Sequence, residues 1–448
     1  MKFEDALLPR EKVFRDPVHN YIYVQHQIIL DLINTKEMQR LRRVKQLGPS
    51  SFTFHGAEHS RFTHSLGVYE ITRRICDIFL RNYPTKESGD GLWDDSERLV
   101  ALCAALLHDI GHGAYSHTFE HIFHTNHEAI TQEIITSPKT EVNKVLKKIS
   151  PEFPKQVADV INHSYKNKQV VQMISSQCDA DRMDYLLRDA YNTGASYGNF
   201  DLTRILRVMR PYSGGICFDV SGMHAVEDYI ISRLQMYMQV YFHPVSRSME
   251  VILTHLLKRA KELSDKMPIN SSETPYLLMP FFNNNFDIND YLKLDDGVLN
   301  TYFIHWIDSK DSILSDLADR FINRRPFKSA EFTDDTEFLT TKLQKLIKQA
   351  GFDHKYYTDT NDCFDLPYDA YDPKKKSHAT QIELRRPDGS MVELSKVSRL
   401  VAAVTGKQLG DERFFFPKEM LNSAQNIEIF QPIYEEFQKH IKNNQLIE

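Results

Sequence analysis

Leu106-Leu107-His108-Asp109-Ile110-Gly111-His112-Gly113 decides how the rest of the chain is read. An apolar, helix-forming run from Leu99 to Leu107 leads into an adjacent histidine and aspartate, and two glycines then break the helix. A neighbouring imidazole and carboxylate can face one divalent cation together only near a helix end, where the backbone turns between them. The glycines supply that turn and let the backbone approach whatever the pair binds. Mixed nitrogen and oxygen ligands favour phosphate chemistry over a structural zinc site, which is usually rich in cysteine. His-Asp pairs also arise by chance at polar helix ends, so the reading rests on His64 upstream and Asp181 downstream.

His59-Ser60-Arg61-Phe62-Thr63-His64 enters a strong amphipathic helix and adds an imidazole at His64 and an anion-binding cation at Arg61. Taken alone, this stretch reads as surface polarity. The run from Asp179 to Asp189 is more telling. On a helix, Asp181, Tyr185 and Asp189 fall at i, i+4 and i+8, and Arg182 joins that face through its i, i+3 spacing to Tyr185. Such a face touches a metal, a phosphate and a sugar hydroxyl in succession over about 12 Å. The same residues also fit an amphipathic helix laced with internal salt bridges, with Met183, Leu186 and Leu187 on its buried side.

Between these segments lie His117, Glu120, His121 and His124, followed by Asn126-His127-Glu128. Histidine is easily tuned near neutral pH, and an adjacent carboxylate raises its pKa. His117 with Glu120, and His127 with Glu128, are therefore candidates for protonating a leaving oxygen or steadying a charged phosphate. His121 and His124 are assigned to packing or solvent. Histidines, acids and cations in one helical body suggest a metal-activated water attacking a phosphorus ester. GxxxxGK[ST] is absent, which disfavours a P-loop nucleotidase, and the histidine-rich segment holds no HExxH of a zinc peptidase.

Composition sets the bounds. The 448 residues are enough for two or more domains, and 41% hydrophobic with 26% charged residues is ordinary for a globular chain. A net charge of −6 gives no global basic field of the kind that marks a general nucleic-acid binder. Local basic clusters at Arg40 to Lys45 and Lys374 to Lys376 are mostly solvated faces, although a polyphosphate pocket needs only a few cations. Five cysteines without CxxC spacing fit a reducing compartment. The first residues lack the apolar core of a signal peptide, and no apolar run nears the roughly 20 residues of a membrane span. A soluble, cytoplasmic protein is expected.

Periodicity predicts a mainly α chain. A short strand at Tyr21 to Val24 precedes helices around Ile28 to Ile33 and after Asn34-Thr35. Further helices are expected from Thr63, over Leu99 to Ile110, Ser116 to His124, Val142 to Ile149, Pro154 to Ser164 and Val171 to Ala190. Others are expected over Ala225 to Tyr241, Val245 to Leu263, Leu299 to Phe321 and Glu337 to Ala350. Ile216 to Val220 reads as a strand. Gln381 to Leu394 reads as a hairpin turning at Pro387-Asp388-Gly389-Ser390, and a last helix runs from Asn426 to Ile441. The expected architecture is a helical body over residues 1–350, with core motifs in 46–245, followed by a smaller α+β region over 351–448.

Assembled, these residues resemble an HD-domain phosphohydrolase, and more narrowly the dNTP triphosphohydrolases, including bacterial relatives of the vertebrate SAM-and-HD-domain enzyme. The resemblance runs from about Lys12 to His255. It is carried by DPVHNYI (16–22), MQRLRRVKQLG (38–48), HSRFTHSLGVYE (59–70), LLHDIGHGAYSHTFE (106–120), HE (127–128), DADRMDYLLRDA (179–190) and YFHPVSR (241–247). It implies His64, His108, Asp109 and Asp181 as metal ligands. His112, His117 and Glu120 would line the reacting phosphate, with His127 and Glu128 adjacent. Arg61, Arg182 and Tyr185 would contact the triphosphate, and Asp189 and Gln46 the 3′-hydroxyl. Leu47 and Tyr241, with Tyr237 nearby, would close on the sugar and reject a ribose 2′-hydroxyl.

The implied reaction is water attack at the α-phosphorus, releasing deoxynucleoside and intact triphosphate, with His117 as general acid and His127 next in line. The metal would be Mg or Mn, with Fe, Ni or Zn also compatible with such ligands. The family commonly forms homotetramers activated by nucleotides at subunit interfaces. Gln39 and Arg42, with Lys12, Val13 and Asn34, occupy positions that resemble a guanine-nucleotide activator site. Asn34 stands where the vertebrate branch has aspartate, Arg182 where it has lysine, Glu120 aspartate and Tyr237 histidine. No SAM domain is expected, and a bacterial-type enzyme activated by dGTP fits best. The alternatives are an HD phosphohydrolase acting on another nucleotide, or a non-catalytic nucleotide sensor or nucleic-acid-binding protein; intact His64, His108, Asp109 and Asp181 speak against the second.

Overall fold

Helix Arg61–Asn82 is the spine of the body. It buries Phe62, Leu66, Tyr69, Cys76 and Phe79 along one stripe, at the i, i+4, i+7 spacing of an amphipathic helix. In this computed structural model, which describes residues 7–264, 274–365, 368, 381–406, 409–421 and 428–447, the spine packs against two other site-bearing helices. One is Arg98–Leu107, buried at every position from Val100 to Leu107, as a helix apolar on all sides must be. The other is Ala180–Thr193. The chain is mainly α.

The N-terminal segment is a hairpin, Leu7–Asp16 with Asn20–His26, leading directly into helix Gln27–Ile33. Thr35 caps helix Lys36–Arg40 by accepting from Met38 N. The cationic cluster after it does not form a single solvated face. Arg40 is buried and donates to the carbonyls of Ile110, His112 and Leu294, pinning the turn after the His-Asp pair. Lys374 to Lys376 lie outside the described residues.

Two expected helices are each divided. Val171 to Ala190 forms Lys168–Ile174 and Ala180–Thr193, because the Asp179 carboxylate caps the second helix, accepting from Arg182 N and Ser176 N. Leu299 to Phe321 forms Asp296–Trp306 and Ser312–Ile322, the latter capped by Asp311. Ala225 to Tyr241 is helical over Met223–Met236 and then widens into a π-helical turn, Tyr237–Tyr241. Helix His127–Thr136, started by the Asn126 cap, has no counterpart in the periodicity reading.

The C-terminal sheets are interleaved with the body. Strand Lys328–Phe332 lies before residue 350, yet it pairs antiparallel with Leu409–Phe416, which pairs in turn with Asp359–Asp365. The expected hairpin, Glu383–Arg385 with Met391–Glu393, extends the sheet made by Met209–Tyr212 and Gly215–Asp219. The last helix is Gln431–Lys439. No helix among the described residues is long and apolar enough to cross a membrane.

Candidate active site

His64 sits one turn into the spine, His108 at the end of Arg98–Leu107, and Asp181 in the first turn of Ala180–Thr193. Three helix ends therefore meet at one point. The two imidazoles stand edge to face, 77° apart, with their Nε2 atoms 3.3 Å from each other. Asp181 Oδ1 lies 3.0 Å from His64 Nε2 and 3.5 Å from His108 Nε2. Asp109 completes the group, 3.4 Å from His108 Nε2 and 3.7 Å from His64 Nε2. Separations of this size are what a cation with bonds of about 2.1 Å imposes on neighbouring ligands.

The far side of each ring is already engaged. His64 Nδ1–H donates to Asp184 Oδ2 at 2.8 Å, and His108 Nδ1–H to the Ala105 carbonyl at 2.9 Å. Both Nε2 lone pairs are thereby turned toward the shared point. Burial alone would lower the His64 pKa, but the carboxylates of Asp181 and Asp184 outweigh it and raise the imidazole to about 10. A group this rich in carboxylate calls for a positive charge at its centre, and these residues fit a divalent cation.

Beside this cluster, Arg61 Nη1 donates to Asp109 Oδ2 at 2.5 Å and Nη2 to Ser116 Oγ at 2.8 Å. Ser116 passes the chain on to His112 Nδ1 at 2.6 Å. Among the described residues the buried Nε–H of Arg61 has no hydrogen-bond acceptor. His112 and His127 stack 3.9 Å apart and only 15° from parallel, with Glu120 3.0 Å from His127 Nδ1. The nitrogen and oxygen atoms of His112, Glu120 and His127 also lie within 4.8 Å of one another, but near-parallel rings send their in-plane lone pairs along lines that converge poorly on one ion, which favours proton transfer over a second metal at this trio. Their environments push the two imidazoles apart. Burial and the Arg61 guanidinium drive His112 well below its ordinary pKa. At His127 burial also lowers the pKa, but the Glu120 carboxylate outweighs it and the value is raised. Such a split separates a neutral imidazole from a charged one at the same pH.

Both groups open on one cavity of about 430 Å³, lined among others by Arg61, Asp109, His112, His127 and Asp181. Gln46, Leu47, Tyr185, Asp189, Tyr237 and Tyr241 line it as well. Tyr241 O–H donates to Asp189 Oδ2 at 2.8 Å, and His59 Nε2–H to Asp189 Oδ1 at 2.7 Å. Tyr241 meets Tyr185 and Tyr237 edge to face. Among the described residues no group donates to the buried amide oxygen of Gln46.

Other expected residues lie elsewhere. Glu128 is exposed on the outer side of helix His127–Thr136, since consecutive helical residues point about 100° apart, and Glu120 takes its expected place beside His127. Arg182 faces Asp179, 2.5 Å away, rather than the cavity. His117 opens helix His117–Phe123, and its side chain lies outside the described residues. His121 and His124 are exposed. Gln39, hydrogen-bonded to the Ile33 carbonyl and to Arg42, forms a surface unit beside exposed Asn34, with Arg42 stacked on Phe62. Lys12 and Val13 are exposed on the first strand.

The glycines after the His-Asp pair act differently from the expectation. A Cβ on Gly111 would lie 2.3 Å from the His127 carbonyl, so what approaches the backbone there is helix His127–Thr136, not a ligand. Four contributors escaped the sequence reading: Asp184 behind His64, Ser116 between Arg61 and His112, His59 behind Asp189, and Glu250 on the cavity wall. Asp184 had a signal, one turn beyond Asp181 on the same face. Glu250, one of two isolated acids in a long helix, had none.

Sequence comparison agrees with this geometry. The HD domain model matches residues 61–189 and the HD associated region model residues 200–274. An uncharacterized protein of Bacillus subtilis, YwfO, is 52% identical over 94% of this chain and 95% of its own length. The chain belongs to the HD-domain family. Among its HD-domain relatives is a Dictyostelium discoideum protein named deoxynucleoside triphosphate triphosphohydrolase SAMHD1 homolog. The two are 27% identical over 68% of this chain and 64% of that one. The crystal structure of a phosphohydrolase from Bacteroides thetaiotaomicron superposes with a TM-score of 0.76 at 27% identity, covering 91% of this chain and all of that one. Membership of the HD phosphohydrolases supports a hydrolase that uses a divalent metal.

Proposed function

We propose that this HD-domain protein is a metal-dependent dNTP triphosphohydrolase, cutting dNTP into deoxynucleoside and inorganic triphosphate. The observation that carries the proposal is one cavity that joins three things: Asp109 and Asp181 beside the His64/His108 imidazoles, a split His112/His127 pair, and a wall of Gln46, Leu47, Tyr185, Asp189 and Tyr241. The relatives named for triphosphohydrolase activity support the same substrate class.

The four ligands would hold the divalent cation, Mg or Mn before Fe, Ni or Zn, which supplies Lewis acidity toward phosphate and water. Arg61, with its free Nε–H, and neutral His112 bind the reacting phosphate from one side. Arg182 reaches the triphosphate by leaving Asp179. Water attacks the α-phosphorus, the Pα–O5′ bond breaks, and O5′ takes a proton. His127, whose pKa the Glu120 carboxylate raises, would give it. His117, at the adjacent helix start, is the other donor the family resemblance implies. Asp189 would accept from the 3′-hydroxyl and the Gln46 amide would donate to its oxygen, while Leu47 and Tyr241 pack where a 2′-hydroxyl would be left unsatisfied.

A guanine nucleotide such as dGTP would activate the enzyme through Lys12, Val13, Asn34, Gln39 and Arg42 in a homotetramer. Residues 1–350 would form the catalytic body, residues 351–448 would support assembly or regulation, and the cytoplasm is the expected compartment.

Product analysis tests the reading. Each dNTP is supplied with Mg²⁺ or Mn²⁺, alone and with dGTP or GTP. Deoxynucleoside plus tripolyphosphate, dependent on a guanine nucleotide and lost in Asp109→Ala, is the expected result. Deoxynucleoside monophosphate plus pyrophosphate would mean that a different bond is cut. Binding without turnover would favour a nucleotide sensor.

A further inference from the structure

With the triphosphate at the metal cluster and the sugar against Tyr185, Asp189 and Tyr241, one stretch of cavity wall is left unassigned. It is formed by Gly48, Pro49, Ser50, Tyr115, Thr118 and Glu250. Helix Pro244–Leu263 packs there on the turn Gly48–Phe52 and on helix His117–Phe123, which sets Glu250 into the wall. The phenol of Tyr115 is committed to Asn300 Oδ1 at 2.6 Å. Glu250 supplies the carboxyl of this stretch, and among the described residues it makes no hydrogen bond and no ion pair.

Its helix neighbour Arg247 does not neutralise it. That guanidinium turns to Asp411 and to the Asn361 carbonyl in the C-terminal sheet. Burial, only partly offset by Arg247, pushes the Glu250 carboxyl up to about 7. A half-buried carboxyl without donors is costly unless a ligand supplies them. A nucleobase lodged in this stretch is such a ligand, and its edge carries amines or carbonyls.

We propose that Glu250 reads the base, accepting a hydrogen bond from the amine of adenine, cytosine or guanine and disfavouring thymine, which has only carbonyls flanking its N3–H. This inference rests on the dNTP reading above. A carbonyl placed against the ionised carboxylate leaves two acceptors facing each other with no proton between them, so the discrimination is read at a pH above about 7, where the Glu250 carboxyl is charged.

The test is kcat/KM for dATP, dCTP, dGTP and dTTP, with a saturating activator, in the wild-type protein, Glu250→Gln and Glu250→Leu. Wild type should prefer each amine-bearing substrate over dTTP by about tenfold or more, the discrimination typical of one hydrogen bond to a charged group. Glu250→Gln keeps the shape and adds an amide donor that thymine can use, so the preference should collapse toward unity. Glu250→Leu should lose activity selectively on the amine-bearing substrates. A purely structural role would lower all four values alike, and that result, or a wild type indifferent to base, overturns the inference while leaving the triphosphohydrolase reading standing. A wild type that releases no triphosphate from any dNTP overturns both.

Discussion

At the scale of single residues, the site depends as much on what stands behind the ligands as on the ligands themselves. Asp184 fixes His64 from the rear and is itself held by His19 and Arg188, the latter tied to Asp16. Asp184→Asn should therefore leave the four ligands in place yet weaken divalent-metal affinity by roughly 10- to 100-fold, read by direct metal titration. Glu120 acts on the charge of His127, whose pKa its carboxylate raises. Because the His127 pKa is raised, its charged form persists to higher pH than that of an ordinary imidazole, so the proposed acid role should also fail at a correspondingly higher pH. Glu120→Gln removes the largest effect opposing burial and leaves only the weaker pull of Asp109, so the alkaline limb of the kcat profile should move to lower pH. The proposed ligands could be picked out because a His-Asp pair and an i, i+4, i+8 face restrict what helices can present, and the structure brings these residues together. Asp184, Ser116 and Glu250 could not, since each looks like an ordinary helix or turn residue until its distant partner is known.

At the scale of elements, close helix crossings hold the site. Gly67 lets the spine meet Ala180–Thr193. A Cβ there would lie 1.8 Å from Asp184 Oδ1 and 2.5 Å from Arg188 Nη2. Gly67→Ala should cost about 1–3 kcal/mol of stability from overpacking, seen as a lower denaturant midpoint, and should weaken metal affinity by displacing Asp184. Helix periodicity located most of the elements, but caps decided their ends. Asp179 and Asp311 each cut an expected helix in two, since a cap works through local hydrogen bonds that a hydrophobic stripe does not reveal. Short helix His127–Thr136 was missed, although it carries His127 and covers the Gly111 turn.

At the scale of the whole molecule, the C-terminal sheet reaches the catalytic body through Arg247. It is fully buried on the helix that bears Glu250 and is bonded to strands Asp359–Asp365 and Leu409–Phe416. Arg247→Met should cost about 3 kcal/mol in chemical denaturation, the low end for a broken buried pair because Asp411 keeps Arg413 beside it. The mainly α class and the hairpin at Gln381 to Leu394 were readable from periodicity and turn residues. The pairing of Lys328–Phe332 with Leu409–Phe416 was not, because strand partners far apart in sequence leave no local pattern.

The central claim is that water attacks the α-phosphorus and the Pα–O5′ bond breaks. Hydrolysis of a dNTP in ¹⁸O-labelled water, with mass analysis of both products, tests it most directly. The expected result is one heavy oxygen in inorganic triphosphate and none in the deoxynucleoside. Label in the deoxynucleoside, or in a monophosphate or pyrophosphate product, would contradict it.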